Sequence, residues 1–256
     1  MRRVWIVFVA LAVPAICVPA VSRAQWTTAW RYEGPAGADH WGDLDPAYVA
    51  CKAGREQSPV DIRDAHASDL PAMRFDYHSG PLKYLINNGY TVRVNYHDAP
   101  GTGNVVTVGG KSYHLTQFHF HHPSEEYVGG KPYEMEVHLM HEAADGSVAG
   151  VTVFLKAGRP NTTVQRMWDH MPTMAGKEQE IAGIEVNPAD LLPSDASYYT
   201  YQGSLTAPPC TEGVTWFVLK TPVEISPAEI SAFAKLYPHD VRPLQPLNGR
   251  LVQASR

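Results

Sequence analysis

The sequence predicts a single, mainly β domain with some helix (α+β), and three observations carry that expectation. Short segments rich in β-branched and aromatic residues recur between turn signals. Helical periodicity is confined to two short stretches, and no internal repeat, low-complexity tract or flexible linker divides the chain. At 44% hydrophobic and 18% charged residues, the composition suits one sizeable core and excludes disordered and fibrous classes.

The first strands are expected at 84–86, at 90–96 after the Asn88-Gly89 turn, at 105–108 and at 113–121, read together as successive antiparallel strands. Further strands are expected at 135–142, 149–155 and 214–220. Helices are expected at 164–171 and 228–236, the second opened by Ser226 as N-cap and Pro227 as its first residue. The 21 prolines scattered between these elements imply many ordered loops. Periodicity leaves open whether the sheet closes into a barrel.

Met1-Arg2-Arg3, an apolar run over 4–21 and the small residues of Ser22-Arg23-Ala24 read as a signal peptide (1–24), leaving a domain over 25–256. A spanning anchor competes, because the run approaches the roughly 20 apolar residues that cross a bilayer, but Pro14 and Pro19 interrupt it. Cys17 has poor flanks for lipidation in Pro14 and Ile16. No later stretch is apolar enough to span, so a periplasmic or secreted protein without a stable membrane span is expected.

Removing Cys17 with the signal leaves Cys51 and Cys210 as a pair in an oxidising compartment, where a disulfide is the default and two free thiols the alternative. The formal charge of −5 becomes about −8 without Arg2, Arg3 and Arg23. No dense Lys/Arg cluster follows residue 24, which argues against nucleic acid as a partner. A homodimer is allowed, although no exposed apolar stripe marks an interface.

Gln117-Phe118-His119-Phe120-His121 alternates polar and aromatic residues, so as a strand it sends His119 and His121 to one face. Two imidazoles so placed lie roughly 7 Å apart along the strand, close enough to share one ion. A second strand puts Glu136 and His138 on a common face and supplies a third ligand. Three nitrogen ligands without a nearby cysteine suit a catalytic zinc site with one open position, not a closed structural site. Gln117 and Glu136 each stand two residues before a ligand, where they can hold its second ring nitrogen. Taken singly, each histidine would be read as a hydrogen-bonded core residue.

With these stand further blocks: Tyr32-Glu33-Gly34, His40-Trp41-Gly42, QSPVDI at 57–62, NNG at 87–89, EVHLMH at 136–141, GSLTAPPC at 203–210, VTW at 214–216 and RPLQPL at 242–247. Over about residues 30–247 the chain resembles the alpha-class carbonic anhydrases. The resemblance implies a large, twisted, mostly antiparallel central sheet, short peripheral helices and a conical active-site cleft with zinc at its floor. It implies reversible hydration of carbon dioxide to bicarbonate and a proton by attack of zinc-bound hydroxide, with sulfonamides and anions as inhibitors. It also supports the Cys51–Cys210 pairing and cis bonds at Ser58-Pro59 and Pro208-Pro209.

By the same resemblance Thr206 accepts the nucleophile's hydrogen bond and donates its own to Glu125, preferred to Glu126 because it directly follows Ser124. Met140, Gly150, Leu205, Val214 and Trp216 are the expected wall of the carbon dioxide pocket, with Gly150 standing where the family usually has valine. Tyr32 matches a tyrosine that orders active-site water. Tyr90 occupies the place of the proton-shuttling histidine of fast members and is a weak relay, since phenols titrate near 10. Arg93 replaces a smaller polar residue of the cleft. A zinc-storage protein would use the same histidines but have no need of Thr206 and Glu125, and a non-catalytic adhesion module of the same fold typically loses zinc ligands, whereas all three are present here.

Overall fold

The computed structural model describes residues 29–98 and 102–256; the expected signal peptide lies outside them. One twelve-stranded sheet dominates. Its central strands are β1 (Val92–Asn95), β2 (Lys111–His121), β3 (Met135–Ala143), β4 (Val148–Ala157), β5 (Tyr198–Ser204) and β6 (Glu212–Leu219). From one edge the order is His66–Ser68, Gln253–Ser255, β5, β6, β4, β3, β2, β1 and Leu85–Asn87, an open sheet and not a barrel. β3 and β4 are buried along almost their whole length, as strands covered on both faces must be.

Most pairings are antiparallel, but β4 runs parallel to β6 and to Val223–Ile225, and His66–Ser68 runs parallel to Gln253–Ser255. The expected run of successive antiparallel neighbours is corrected at one point. Strand Val105–Val108 does not pair with β1; it pairs with the start of β2 and with Met73–Asp76. The cause is the eleven-residue length of β2, whose first half takes Val105–Val108 while its second half takes β1.

β2 also contains an irregularity that simple alternation does not reveal. Met140 of β3 faces Gln117 while His141 faces Leu115, so Thr116 is an extra residue. Such a bulge reverses the parity of the strand. Tyr113 and Leu115 before it, and Phe118 and Phe120 after it, thereby all reach the same core, with Leu139, Val151, Trp168 and Phe233. The opposite face carries His119, His121 and His138, with Met140 and Trp216 in a second buried cluster.

Two helices cover the main core. The first runs Thr162–Trp168, not 164–171, because the Asn161 side chain accepts from the Thr163 and Val164 amides and fixes an earlier start. The second runs Pro227–Ala234, opened by the reciprocal Ser226/Glu229 capping box. Among the described residues no helix is long and apolar enough to cross a membrane. Cys51 and Cys210 are disulfide-bonded. The expected cis bonds at Ser58-Pro59 and Pro208-Pro209 are present, and His122-Pro123 is a third.

Candidate metal centre

His119 and His138 are direct register partners across β2 and β3, and His121 lies one same-face step along β2. Antiparallel pairing brings opposite residues to about 5 Å, so the imidazoles meet: ring centroids are 4.9, 5.3 and 4.8 Å apart for the pairs 119/121, 119/138 and 121/138. One nitrogen from each lies within 4.8 Å of the other two.

The remaining nitrogens are tied back. His119 Nδ1 pairs with Gln117 Oε1 at 2.8 Å, and His121 Nδ1 with the Asp240 carbonyl at 2.7 Å. His138 Nε2 pairs with Glu126 Oε2 at 3.2 Å and lies 3.0 Å from Glu136 Oε1. This leaves His121 Nε2 and His138 Nδ1 buried with no hydrogen-bond partner among the described residues. Buried polar atoms are rarely abandoned in this way, and a shared cation is the partner that would satisfy both.

Electrostatics separate the ligands. Burial, reinforced by the neighbouring imidazoles and Arg93, holds His119 well below its ordinary range, and burial with the charge of His138 does the same for His121. Both lone pairs are therefore available at neutral pH. Burial pushes His138 down as well, but the Glu136 and Glu126 carboxylates outweigh it and raise that imidazole well above its usual value. Two carboxylates on one ring also repel each other: burial and the charge of Glu126 push Glu136 up to about 8.

Thr206 lines the cavity, and Glu125 is buried behind it. Glu125 Oε1 accepts from the Arg242 amide at 2.8 Å, and its amide donates to Glu136 at 2.7 Å. Burial raises the Glu125 carboxyl to about 7, opposed by the charge of His138 and by a hydrogen bond from Thr206. The Arg242 guanidinium holds the Ser58 and Cys51 carbonyls, which ties the QSPVDI and RPLQPL blocks to the rear of the site.

The imidazoles face a cavity of about 320 Å³ lined on one side by Met140, Leu205 and Trp216 and on the other by Tyr32, Tyr90 and Arg93. Gly150 and Val214 do not line it. Val214 packs in the buried cluster with Met140 and Trp216, and the space above Gly150 is filled by the Trp216 ring, so that residue takes the volume of the missing side chain. Tyr90 is stacked on Trp30 with centroids 3.9 Å apart, at the turn where Asn88 Oδ1 accepts from the Tyr90 and Thr91 amides.

The family model for eukaryotic-type carbonic anhydrases matches residues 36–256. The chain belongs to that family, the alpha-class carbonic anhydrases. A carbonic anhydrase of Nostoc sp. is 42% identical over 241 residues, 92% of this chain and 89% of that one. A carbonic anhydrase of Klebsiella pneumoniae is 42% identical over 87% of this chain and 89% of its own. The alpha-carbonic anhydrase of Thermovibrio ammonificans, solved with the inhibitor sulfanilamide, superposes with a TM-score of 0.83 at 41% identity, covering 90% of this chain and 99% of that one. Carbonic anhydrases hydrate carbon dioxide, and the chain is an enzyme of that class.

Three supporting residues escaped the sequence reading. Glu126 is singled out only by the fold: its Oε1 accepts from the Tyr201 hydroxyl at 3.0 Å, and the oxygen of that hydroxyl lies 3.1 Å from Ser58 Oγ. Tyr201 lies on β5, whose aromatic run Tyr198-Tyr199-Thr200-Tyr201 was the available signal. Asp240 acts through its carbonyl, which no side-chain pattern announces.

Proposed function

We propose that the protein is a zinc-dependent carbonic anhydrase in which His119, His121 and His138 hold the ion. The donor set fits zinc, with three nitrogens, no thiolate and room on the cavity side for one further ligand. Zinc, when bound, acts as a Lewis acid that brings the pKa of a water to near 7 and so supplies a nucleophile at neutral pH. What supports this reading most is the convergence of three imidazole nitrogens within 4.8 Å at the floor of the cavity.

The chain's own residues do the rest. Gln117, the Asp240 carbonyl and the Glu126/Glu136 pair fix ring orientation and tautomer. Thr206 accepts a hydrogen from the attacking oxygen and donates its own to Glu125, which leaves one lone pair of that oxygen facing carbon dioxide. Met140, Leu205 and Trp216 form an apolar wall for an uncharged substrate, with Val214 and Gly150 as its backing. Tyr32 orders cleft water, and Tyr90 replaces an efficient proton relay with a weak one. Sulfonamides and small anions inhibit by occupying the open position.

Residues 1–24 act as an export signal, and the mature chain works in the periplasm or outside the cell, where the Cys51–Cys210 bond persists. Stopped-flow hydration of carbon dioxide, with and without a chelator, tests the reading. Turnover that the chelator abolishes and zinc restores is expected; zinc retention without turnover would favour storage.

A further inference from the structure

The titratable side chains that line the cavity are the three imidazoles, the phenols of Tyr32 and Tyr90, and the guanidinium of Arg93. Burial and the charge of Glu125 push the Tyr32 phenol well above its ordinary range. The three imidazoles are grouped at the metal centre, and among the described residues no further imidazole lines the wall. Protons released in the cleft must therefore leave on a solute.

Arg93 decides which solute. It is the register partner of His119 on β1, so it projects from the same face of the sheet into the same cavity. Its Nε is buried without a hydrogen-bond partner, and among the described residues no carboxylate lies within 4.0 Å of it. The acidic charge that reaches it belongs to Glu178, which is already engaged by Asn95 Nδ2 at 2.5 Å and by His97. A guanidinium left without a carboxylate in a solvent-connected cavity presents a planar fork suited to an oxyanion. A second guanidinium, Arg31, lies 6.0 Å from the centre of the Tyr90 ring but is exposed and outside the cavity lining, which leaves Arg93 as the guanidinium of the wall.

We propose that Arg93 docks a small oxyanion whose conjugate acid titrates near neutral pH, and that this solute is the proton carrier of the cleft. The inference rests on the proposed hydration of carbon dioxide. Carbon dioxide and water give bicarbonate and a proton; hydrogen phosphate, the probe, takes that proton on an oxygen through cleft water and departs as dihydrogen phosphate. Product bicarbonate shares the oxyanion chemistry and competes for the fork.

The test uses the zinc-loaded full chain at constant ionic strength and pH. The Arg93 Nε–Hε resonance is followed while phosphate, sulfate or bicarbonate is added, and turnover is measured against phosphate or imidazole concentration. The resonance is expected to shift saturably with phosphate and sulfate. Half-maximal stimulation should need about fivefold less phosphate than imidazole, the order expected of one partly exposed charged contact. Sulfate, which cannot take the proton, should raise the phosphate requirement and leave the imidazole requirement alone. Arg93→Gln should abolish the preference and Arg93→Lys retain most of it.

Equal phosphate and imidazole requirements in the wild type would overturn the proposal, as would a preference that survives Arg93→Gln. A resonance that responds to bicarbonate alone would reassign Arg93 to the product. Normal hydration without a buffer preference removes only the carrier role, whereas no hydration in any buffer removes the proposed function with it.

Discussion

Gly150→Ala is expected to destabilise the protein, and the structure gives the reason. A Cβ built on Gly150 would lie 2.4 Å from Cζ3 and 2.6 Å from Cε3 of Trp216, where ordinary contact begins near 3.4 Å. The ring must therefore retreat by about 1 Å. It has little room: Trp216 is 1% exposed, its Nε1 donates to the Ser204 carbonyl at 3.0 Å, and its ring lies 4.7 Å from that of His138. Where space exists, Gly to Ala stabilises by about 0.4–1 kcal/mol through the unfolded state. Overpacking of a filled core costs about 1–3 kcal/mol, so the sign is reversed here. A loss of roughly 2–12 °C in Tm follows from the usual conversion for a chain of this size. Chemical denaturation of Gly150→Ala, Trp216→Leu and the double variant would read it. The two losses should couple by about 1 kcal/mol or more, because the smaller residue frees the space. A wild-type midpoint for Gly150→Ala, or strictly additive losses, would refute the packing argument.

Tyr90→His should raise turnover in dilute buffer by placing a group that titrates near neutrality at the cleft wall; an unchanged stopped-flow rate would show that Tyr90 is not the weak step. Glu126→Gln should accelerate zinc loss to a chelator by about tenfold, the lower range for a group that orients a ligand, and an unaltered loss rate would leave Glu136 as the sole support of His138. His141, buried with its Nε2 2.6 Å from the Tyr77 hydroxyl, is held down to about 3 by burial. Its depressed value means that stability is fully present above the unfolded pKa near 6.5 and is lost as pH falls toward 3, by roughly 4–5 kcal/mol at most. Denaturation midpoints between these limits should show a shallower acid loss in His141→Gln than in the parent, and parallel curves would contradict that assignment. Reduction of the Cys51–Cys210 bond, which spans 159 residues, should cost up to about 5 kcal/mol by chain entropy, read as the midpoint with and without reductant.

Much of the site was legible because strand chemistry is periodic. The alternation in Gln117–His121 assigned both imidazoles to one face, and Glu136 and His138 followed by the same rule. The sheet as a whole was less legible. The Thr116 bulge reverses parity in mid-strand, and the long β2 takes two different neighbours along one edge, neither of which a local pattern encodes. The seven-residue strand Tyr198–Ser204 has no counterpart among the expected strands, although aromatic residues fill it. In sequence Glu125 is set apart from Glu126 only by its place directly after Ser124, and nothing there assigns Glu126 a role. Only the fold turns one carboxylate toward the Arg242 amide and the other toward His138 and Tyr201.

The central claim is that three imidazoles from two neighbouring strands hold one catalytic zinc. Metal content and carbon dioxide hydration measured on the same samples of wild type and His119→Ala test it most directly. One zinc per chain with rapid hydration is predicted for the wild type, and loss of both is predicted for the variant. A variant that keeps its zinc and its rate would contradict the account, as would a wild type that hydrates carbon dioxide at full rate with no metal.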